Sequence, residues 1–209
     1  MTQSINRHLA KSLPRGKGEI RMIGGDWRGR KLPVRMAEGL RPTSDRIRET
    51  LFNWLQFEVA GARVLDLFAG SGALGFEALS RGAQSAVFLE KSQENAQQLQ
   101  RNLQYLATSK GLVVQTDSLQ WLKRNAEQTF DLVFLDPPFH QSLMQLSLNL
   151  LFEYNWLNPQ GAWFYLEQEK TLPWPNLPSD CRLHREKTTS QARCGLFHYV
   201  KQVEDGALT

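Results

Sequence analysis

Apolar positions along the chain follow two rhythms. Arg63-Val64-Leu65-Asp66-Leu67, Ala86-Val87-Phe88-Leu89-Glu90, Leu112-Val113-Val114-Gln115, Asp131-Leu132-Val133-Phe134-Leu135 and Ala162 to Glu167 are short apolar runs rich in β-branched and aromatic residues. Runs of that length and type predict buried strands. Between them lie stretches of helical periodicity: Gly72 to Ser80, Ser92 to about Leu106, Asp117 through Trp121, and about Ser142 to Leu151. Ser92 and Asp117 carry side-chain oxygens suited to capping the free N–H groups of a helix start. Strands alternating with helices predict an α/β protein built on a doubly wound, mostly parallel sheet of Rossmann type. Two further strands, about Arg182–Thr188 and Gly195–Lys201, bring the sheet to seven. No helix separates this last pair, so one strand there runs antiparallel.

Upstream of the alternation the pattern differs. Glu19-Ile20-Arg21-Met22-Ile23 alternates, Gly24-Gly25-Asp26 marks a turn, and Trp27 to Val34 resumes, which predicts a small β-hairpin. Arg41-Pro42-Thr43-Ser44 then opens a helix, with Thr43 or Ser44 as its cap. Ile47, Leu51, Trp54 and Leu55 share one face of it, and Arg46, Glu49 and Asn53 another. The chain thus divides into a flexible basic tail over 1–18, a hairpin-and-helix extension over 19–58 and the main α/β domain over 59–203. Thr171–Ser179 follows no pattern.

Composition narrows the class. Hydrophobic residues make up 41% and charged residues 22% of 209, the balance of a soluble globular protein. No apolar run approaches the ~18 residues of a membrane span, and the polar start lacks the apolar segment of a secretory signal. Cys181 and Cys194 have no metal-ligand spacing and read as thiols of a reducing compartment. A cytoplasmic protein without a metal is therefore expected. The net charge of +4 conceals an asymmetry: residues 1–50 hold 12 Lys/Arg against 5 Asp/Glu, and the remainder is net negative. Arg28, Arg30 and Lys31 on the hairpin, with Arg41 and Arg46 near the helix, form a segment suited to phosphates if it gathers on one face.

The chemistry concentrates in two loops. Gly70, Gly72 and Gly75 match G-x-G-x-x-G between a strand and a helix, and Glu90 ends the next strand, where an acid can accept from two ribose hydroxyls. A pyrophosphate prefers bare N–H groups, and Asp66 at the strand end would repel it. S-adenosylmethionine has no phosphate but has a cationic sulfonium and an ammonium group, so Asp66 favours that ligand. Asp117 is placed either to accept from an adenine amino group or to cap its helix, with Ser118 and Leu119 bordering the pocket. Phe68, Ala69 and Ser71 of the loop and Lys91 after Glu90 complete the candidate cofactor set.

The second loop is Asp136-Pro137-Pro138-Phe139, where a buried strand ends in an acid, two prolines and a ring. The prolines fix a rigid turn at the edge of the sheet where α/β proteins bind ligands. An exocyclic base amine is a poor nucleophile because its lone pair is delocalised into the ring. Asp136 and nearby carbonyls can accept both of its N–H groups, orienting the lone pair and stabilising developing positive charge. Phe139 offers a stacking face for a base, which must be flipped out if it lies in a helix.

With these motifs the chain resembles the class I methyltransferases and, more narrowly, the bacterial 16S rRNA guanine-N2 methyltransferase D family. The likeness runs from residue 19 to about 201 and is carried by Arg21 to Leu32, Arg41 to Asn53, Asp66 to Gly75 and Asp136 to Phe139. The second of these segments separates the family from DNA adenine methyltransferases. The resemblance implies S-adenosylmethionine as cofactor and N2-methylguanine at position 966 of 16S rRNA as product, made on an assembled or nearly assembled small subunit. It implies that Asp66, Gly70, Gly72, Glu90 and Asp117 hold the cofactor and that Asp136 to Phe139 hold the amine. It also implies that the basic hairpin contacts RNA, with Arg41 and Thr43 beside the active site. Three other readings remain: an amino-methyltransferase of adenine in DNA or another RNA, a nicotinamide-dependent oxidoreductase, and a non-catalytic assembly factor. The oxidoreductase explains neither Asp66 nor the double-proline turn.

Overall fold

A computed structural model describes residues 18–35, 45–138, 142–190 and 192–202. The expected tail over 1–18 lies almost wholly outside them, as do Arg41, Thr43 and Phe139. Two antiparallel strands, β1 (Gly18–Arg21) and β2 (Lys31–Val34), make the hairpin, with a 3-10 turn at Gly25–Trp27. Helix α1 (Asp45–Trp54) follows. The main sheet then builds through β3 (Arg63–Asp66), α2 (Ala73–Ser80), β4 (Ser85–Glu90), α3 (Gln93–Tyr105), β5 (Gly111–Gln115) and α4 (Ser118–Leu122). It is completed by β6 (Leu132–Leu135), α5 (Leu143–Glu153), β7 (Ala162–Glu169), β8 (Cys181–Thr188) and β9 (Ala192–Tyr199).

The seven strands lie in the order β5-β4-β3-β6-β7-β9-β8. The first five are parallel, and β9 runs antiparallel to both β7 and β8. The sheet and the hairpin form as the apolar pattern predicts, with shifted bounds: Trp27 lies in the 3-10 turn and the second hairpin strand begins at Lys31, and the final strand is Ala192–Tyr199 in place of about Gly195–Lys201. Side chains alternate between two covered faces. On one face Val64, Phe88, Phe134, Tyr165 and Leu196 pack with Phe52 of α1, Phe76 of α2, Leu99 of α3 and the hairpin residues Ile20, Met22, Leu32 and Val34. On the other, Leu65, Val133, Leu135 and Phe164 pack with Trp121, Leu148 and Trp156. The hairpin thus shares a core with the sheet. At the opposite end from the two loops, Arg63 clasps Asp131 through three donors at 2.8–3.1 Å, which fixes β3 against β6.

Three polar side chains of α1 and α2 lock the extension down. Glu77, fully buried, accepts from the backbone N–H groups of Ile23 and Gly24, both at 2.8 Å, and from Arg81. Ser80 accepts from Trp27 N and donates to Gly24 O. Gly25 has φ +73°, and a Cβ there would stand 1.7 Å from Ser80 O, so only glycine permits this approach. Arg48, also fully buried, donates to Arg21 O and to Asp45. Arg46, Glu49 and Asn53, which the helical offsets put on one face, are exposed. No helix among the described residues is long and apolar enough to cross a membrane, and no group of three or more potential metal-ligating side chains occurs among them.

Candidate active site

The glycine loop and the double-proline turn leave neighbouring strands. Asp66 on β3 is the register partner of Phe134 on β6, and Leu67 N donates to Phe134 O at 3.1 Å. Asp136 follows two residues later, so both loops open at the same edge of the sheet. Asp136 is half-buried, Pro137 buried and Pro138 exposed.

Each acid of the cofactor set has a defined seat. The Glu90 carboxylate accepts from Gly70 N at 2.8 Å and from Ser92 N at 2.7 Å, which draws the glycine loop onto the end of β4. Gly72 caps α2 in the left-handed region at φ +76°, with Leu99 and Phe76 where a Cβ would point. Asp66 is buried and accepts from Gly75 N at 3.1 Å, near the start of α2 where negative charge is favoured. Burial pushes its carboxyl up to about 7; the Gly75 N–H opposes the rise and the charge of Glu90 adds to it. Ala69 is buried, while Phe68, Gly70 and Ser71 are half-buried around the loop.

Asp117 takes the cap position of α4: Oδ1 accepts from Leu119 N at 3.1 Å and Gln120 N at 3.2 Å. Its Oδ2 meets the exposed ammonium of Lys91 at 3.1 Å, and that hydrogen bond, outweighing partial burial, holds the carboxyl below its ordinary value. Ser118 is buried and donates inward to Leu67 O, tying α4 to the glycine loop.

Two buried polar residues near the double-proline turn escaped the linear pattern. On β7, Tyr165 donates its hydroxyl to Glu167 Oε2 at 2.8 Å, and both are buried on the face that carries Asp66. Burial raises the Glu167 carboxyl, with the Tyr165 hydroxyl opposing. In sequence Glu167 reads only as the end of an apolar run, and its placement beside Asp136 depends on strand order. Arg28, Arg30 and Lys31 are all exposed on the hairpin, with Lys31 paired to Glu19 at 3.0 Å.

Comparison with known proteins places this arrangement. A family described as Conserved hypothetical protein 95 matches residues 20–198. The chain is 52% identical over 179 residues to the ribosomal RNA small subunit methyltransferase D of Haemophilus influenzae, covering 84% of this chain and 92% of that one. To the Escherichia coli (strain K12) protein of the same name it is 45% identical over 192 residues, covering 92% and 96%. The solved structure of yhhF from Escherichia coli superposes with a TM-score of 0.81 at 45% identity, over 88% of this chain and 100% of that one. The chain belongs to the Conserved hypothetical protein 95 family, and it shares that family with the ribosomal RNA small subunit methyltransferases D.

Proposed function

We propose that the chain methylates the exocyclic N2 amino group of a guanine in 16S rRNA on the small ribosomal subunit, at G966, with S-adenosylmethionine as donor. Relatives at 52% and 45% identity bear the name of small-subunit rRNA methyltransferases, which supports rRNA methylation as the activity. The observation that carries the reading is the shared edge: the Asp66–Gly72 loop and the Asp136-Pro137-Pro138 turn leave adjacent, registered strands. A methyl donor held by the first loop therefore stands next to an amine held by the second. Nucleoside analysis of 16S rRNA from cells lacking the protein tests it. Loss of one N2-methylguanine, restored by the gene, is expected; loss of N6-methyladenine instead, or no loss, would overturn it.

The residues of the first loop fit S-adenosylmethionine. Asp66, Glu90 and Asp117 make an acidic rim, which attracts a ligand with cationic and hydroxyl groups and repels a pyrophosphate. Bound there, the cofactor supplies a methyl group activated by a positive sulfur. Glu90 keeps acceptor capacity for ribose hydroxyls beyond its two backbone donors. Asp136 and the backbone carbonyls at the rigid turn accept the N–H groups of the target amine, aim its lone pair and stabilise the charge it develops.

Asp66 makes cofactor binding depend on pH. Its carboxyl is charged above pH about 7 and neutral below it. Affinity for a cationic ligand is expected to be full above that pH and to fall as pH drops through it, with proton release on binding. Calorimetry in buffers of different ionisation enthalpy measures both. An Asp66→Asn variant should show a flatter profile, and a wild-type affinity unchanged from about pH 6 to 8 would refute the role.

The exposed Arg28, Arg30 and Lys31 are proposed to contact rRNA phosphates, and Arg41, Thr43 and Arg46 are proposed as further RNA contacts. Changing the three hairpin cations to alanine should lower the salt slope of small-subunit binding by up to about 3, since each phosphate contact contributes roughly 0.7–0.9. S-adenosylmethionine affinity should not change. Equal loss of both would make the hairpin structural only. A titration in which NAD outcompetes S-adenosylmethionine would favour the oxidoreductase.

A further inference from the structure

Across the sheet edge next to the double-proline turn runs a row of polar side chains. Leu135 on β6 is registered with Leu166 on β7, so Asp136 and Glu167 occupy neighbouring positions. Glu167 is in turn registered with Cys194 on β9, and Cys194 with Lys187 on β8. Alternation puts Glu167 on the face of Phe134 and Tyr165, the face that also bears Asp66. Asp136 continues that face from Phe134.

Glu167 is only 7% exposed. Its Oε2 is held by the Tyr165 hydroxyl at 2.8 Å, and its Oε1 has no donor among the described residues. The cation of the row, Lys187, donates to Thr50 Oγ1 on α1 at 2.8 Å. Oε1 thus keeps acceptor capacity that an N–H of a ligand can fill. The Tyr165 contact meanwhile fixes the side chain in one orientation.

We propose that Glu167 selects guanine by accepting its N1–H, while Asp136 holds the adjacent N2 amine. The proposal rests on the amino-methyltransferase reading above. The base edges decide the matter. Beside its exocyclic amine, guanine carries a ring N–H donor. Adenine and cytosine carry a ring-nitrogen lone pair at the equivalent place. A carboxylate next to the amine-holding group therefore pairs with guanine and repels the other two. Asp136 alone suits all three amines, so Glu167 supplies the discrimination that the double-proline turn lacks.

The probe is 2-aminopurine, which keeps the 2-amino group but has an unprotonated N1. Small subunits are reconstituted with 16S rRNA carrying guanine or 2-aminopurine at the target position, and kcat/KM is measured for each with wild type and Glu167→Gln. Wild type should prefer guanine by at least about 10²-fold, as sites built around a substrate N–H do. The Gln amide can donate to an unprotonated N1, so Glu167→Gln should shrink that preference to within about tenfold. Differences in intrinsic amine reactivity cancel when the two preferences are compared. An unchanged preference in a Glu167→Gln protein that still binds S-adenosylmethionine would overturn the proposal. Should that variant fail to fold, the wild-type ratio decides: equal use of the two bases overturns it. A wild type that methylates neither base defeats the parent reading instead, and so is told apart from failure of this one.

Discussion

Asp136→Ala is expected to lower methyl transfer to small subunits by about 10²–10³-fold while leaving S-adenosylmethionine affinity within about twofold. The reason is positional. Asp136 belongs to the turn after β6, whereas the residues proposed to hold the cofactor sit on β3, β4 and the start of α4. Its removal takes an acceptor from the amine without touching the donors that shape the glycine loop. The loss should fall on kcat and kcat/KM together, since the hydrogen bond strengthens only as positive charge develops. Asp136→Asn keeps one acceptor oxygen and should retain more activity than alanine. Undiminished methylation by Asp136→Ala would remove this residue from the reaction and favour a non-catalytic assembly role.

Glu77→Ala is expected to destabilise the protein by about 3–5 kcal/mol, the usual effect of breaking one side of a buried charge pair. Glu77 meets two backbone N–H groups of the hairpin and the Arg81 guanidinium, and no solvent reaches it. Its loss leaves three partly buried donors without their acceptor. In a domain of this size the melting temperature should drop by on the order of 10 °C. Glu77→Gln keeps one acceptor and should lie between the two. Because the broken contacts join the hairpin to α2, hydrogen exchange at Ile23 and Gly24 should rise more than exchange in β3 or β6. A uniform rise across the sheet would show that the hairpin and sheet unfold as one unit, and a loss under about 1 kcal/mol would show the grip to be redundant.

Much of this architecture is legible one segment at a time. Apolar runs at β3, β4, β5, β6 and β7 mark buried strands, and Ser92 caps its helix through Asn95 N as its position suggests. Both reaction loops are visible as loops because glycine and proline punctuate them. Asp117 shows where local reading stops: the side chain is a helix cap and a partner of Lys91, and sequence spacing could not rank those roles against adenine recognition. Glu77 and Arg48 are polar residues on faces that helical offsets assign to the core. Their backbone partners on the hairpin lie 53–54 and 27 residues away, across a fold that must form first. A lone acid inside the apolar helix Ala73–Ser80 was the available signal. The unpatterned stretch Thr171–Ser179 is organised by single side chains. Gln168 donates to Leu172 O and Pro173 O, and Trp174 packs edge-on against Phe197.

The placement of β9 also bears on when this protein becomes competent during its own synthesis. β9 is the last of the described strands to be made, yet it lies between β7 and β8. Until residues 192–199 clear the ribosomal exit tunnel, β7 presents an open edge and β8 has no partner in the main sheet. The waiting edge is Ala162–Glu169, an apolar segment that is buried almost throughout in the finished fold. Such an edge invites mispairing with another nascent chain. The bet is short-lived only if β8 and β9 arrive as a preformed hairpin that zips onto β7 in one step. Ribosomes stalled before residue 192 should therefore carry a protease-sensitive chain whose glycine loop is complete but whose Asp136–Glu167–Cys194–Lys187 row does not yet exist.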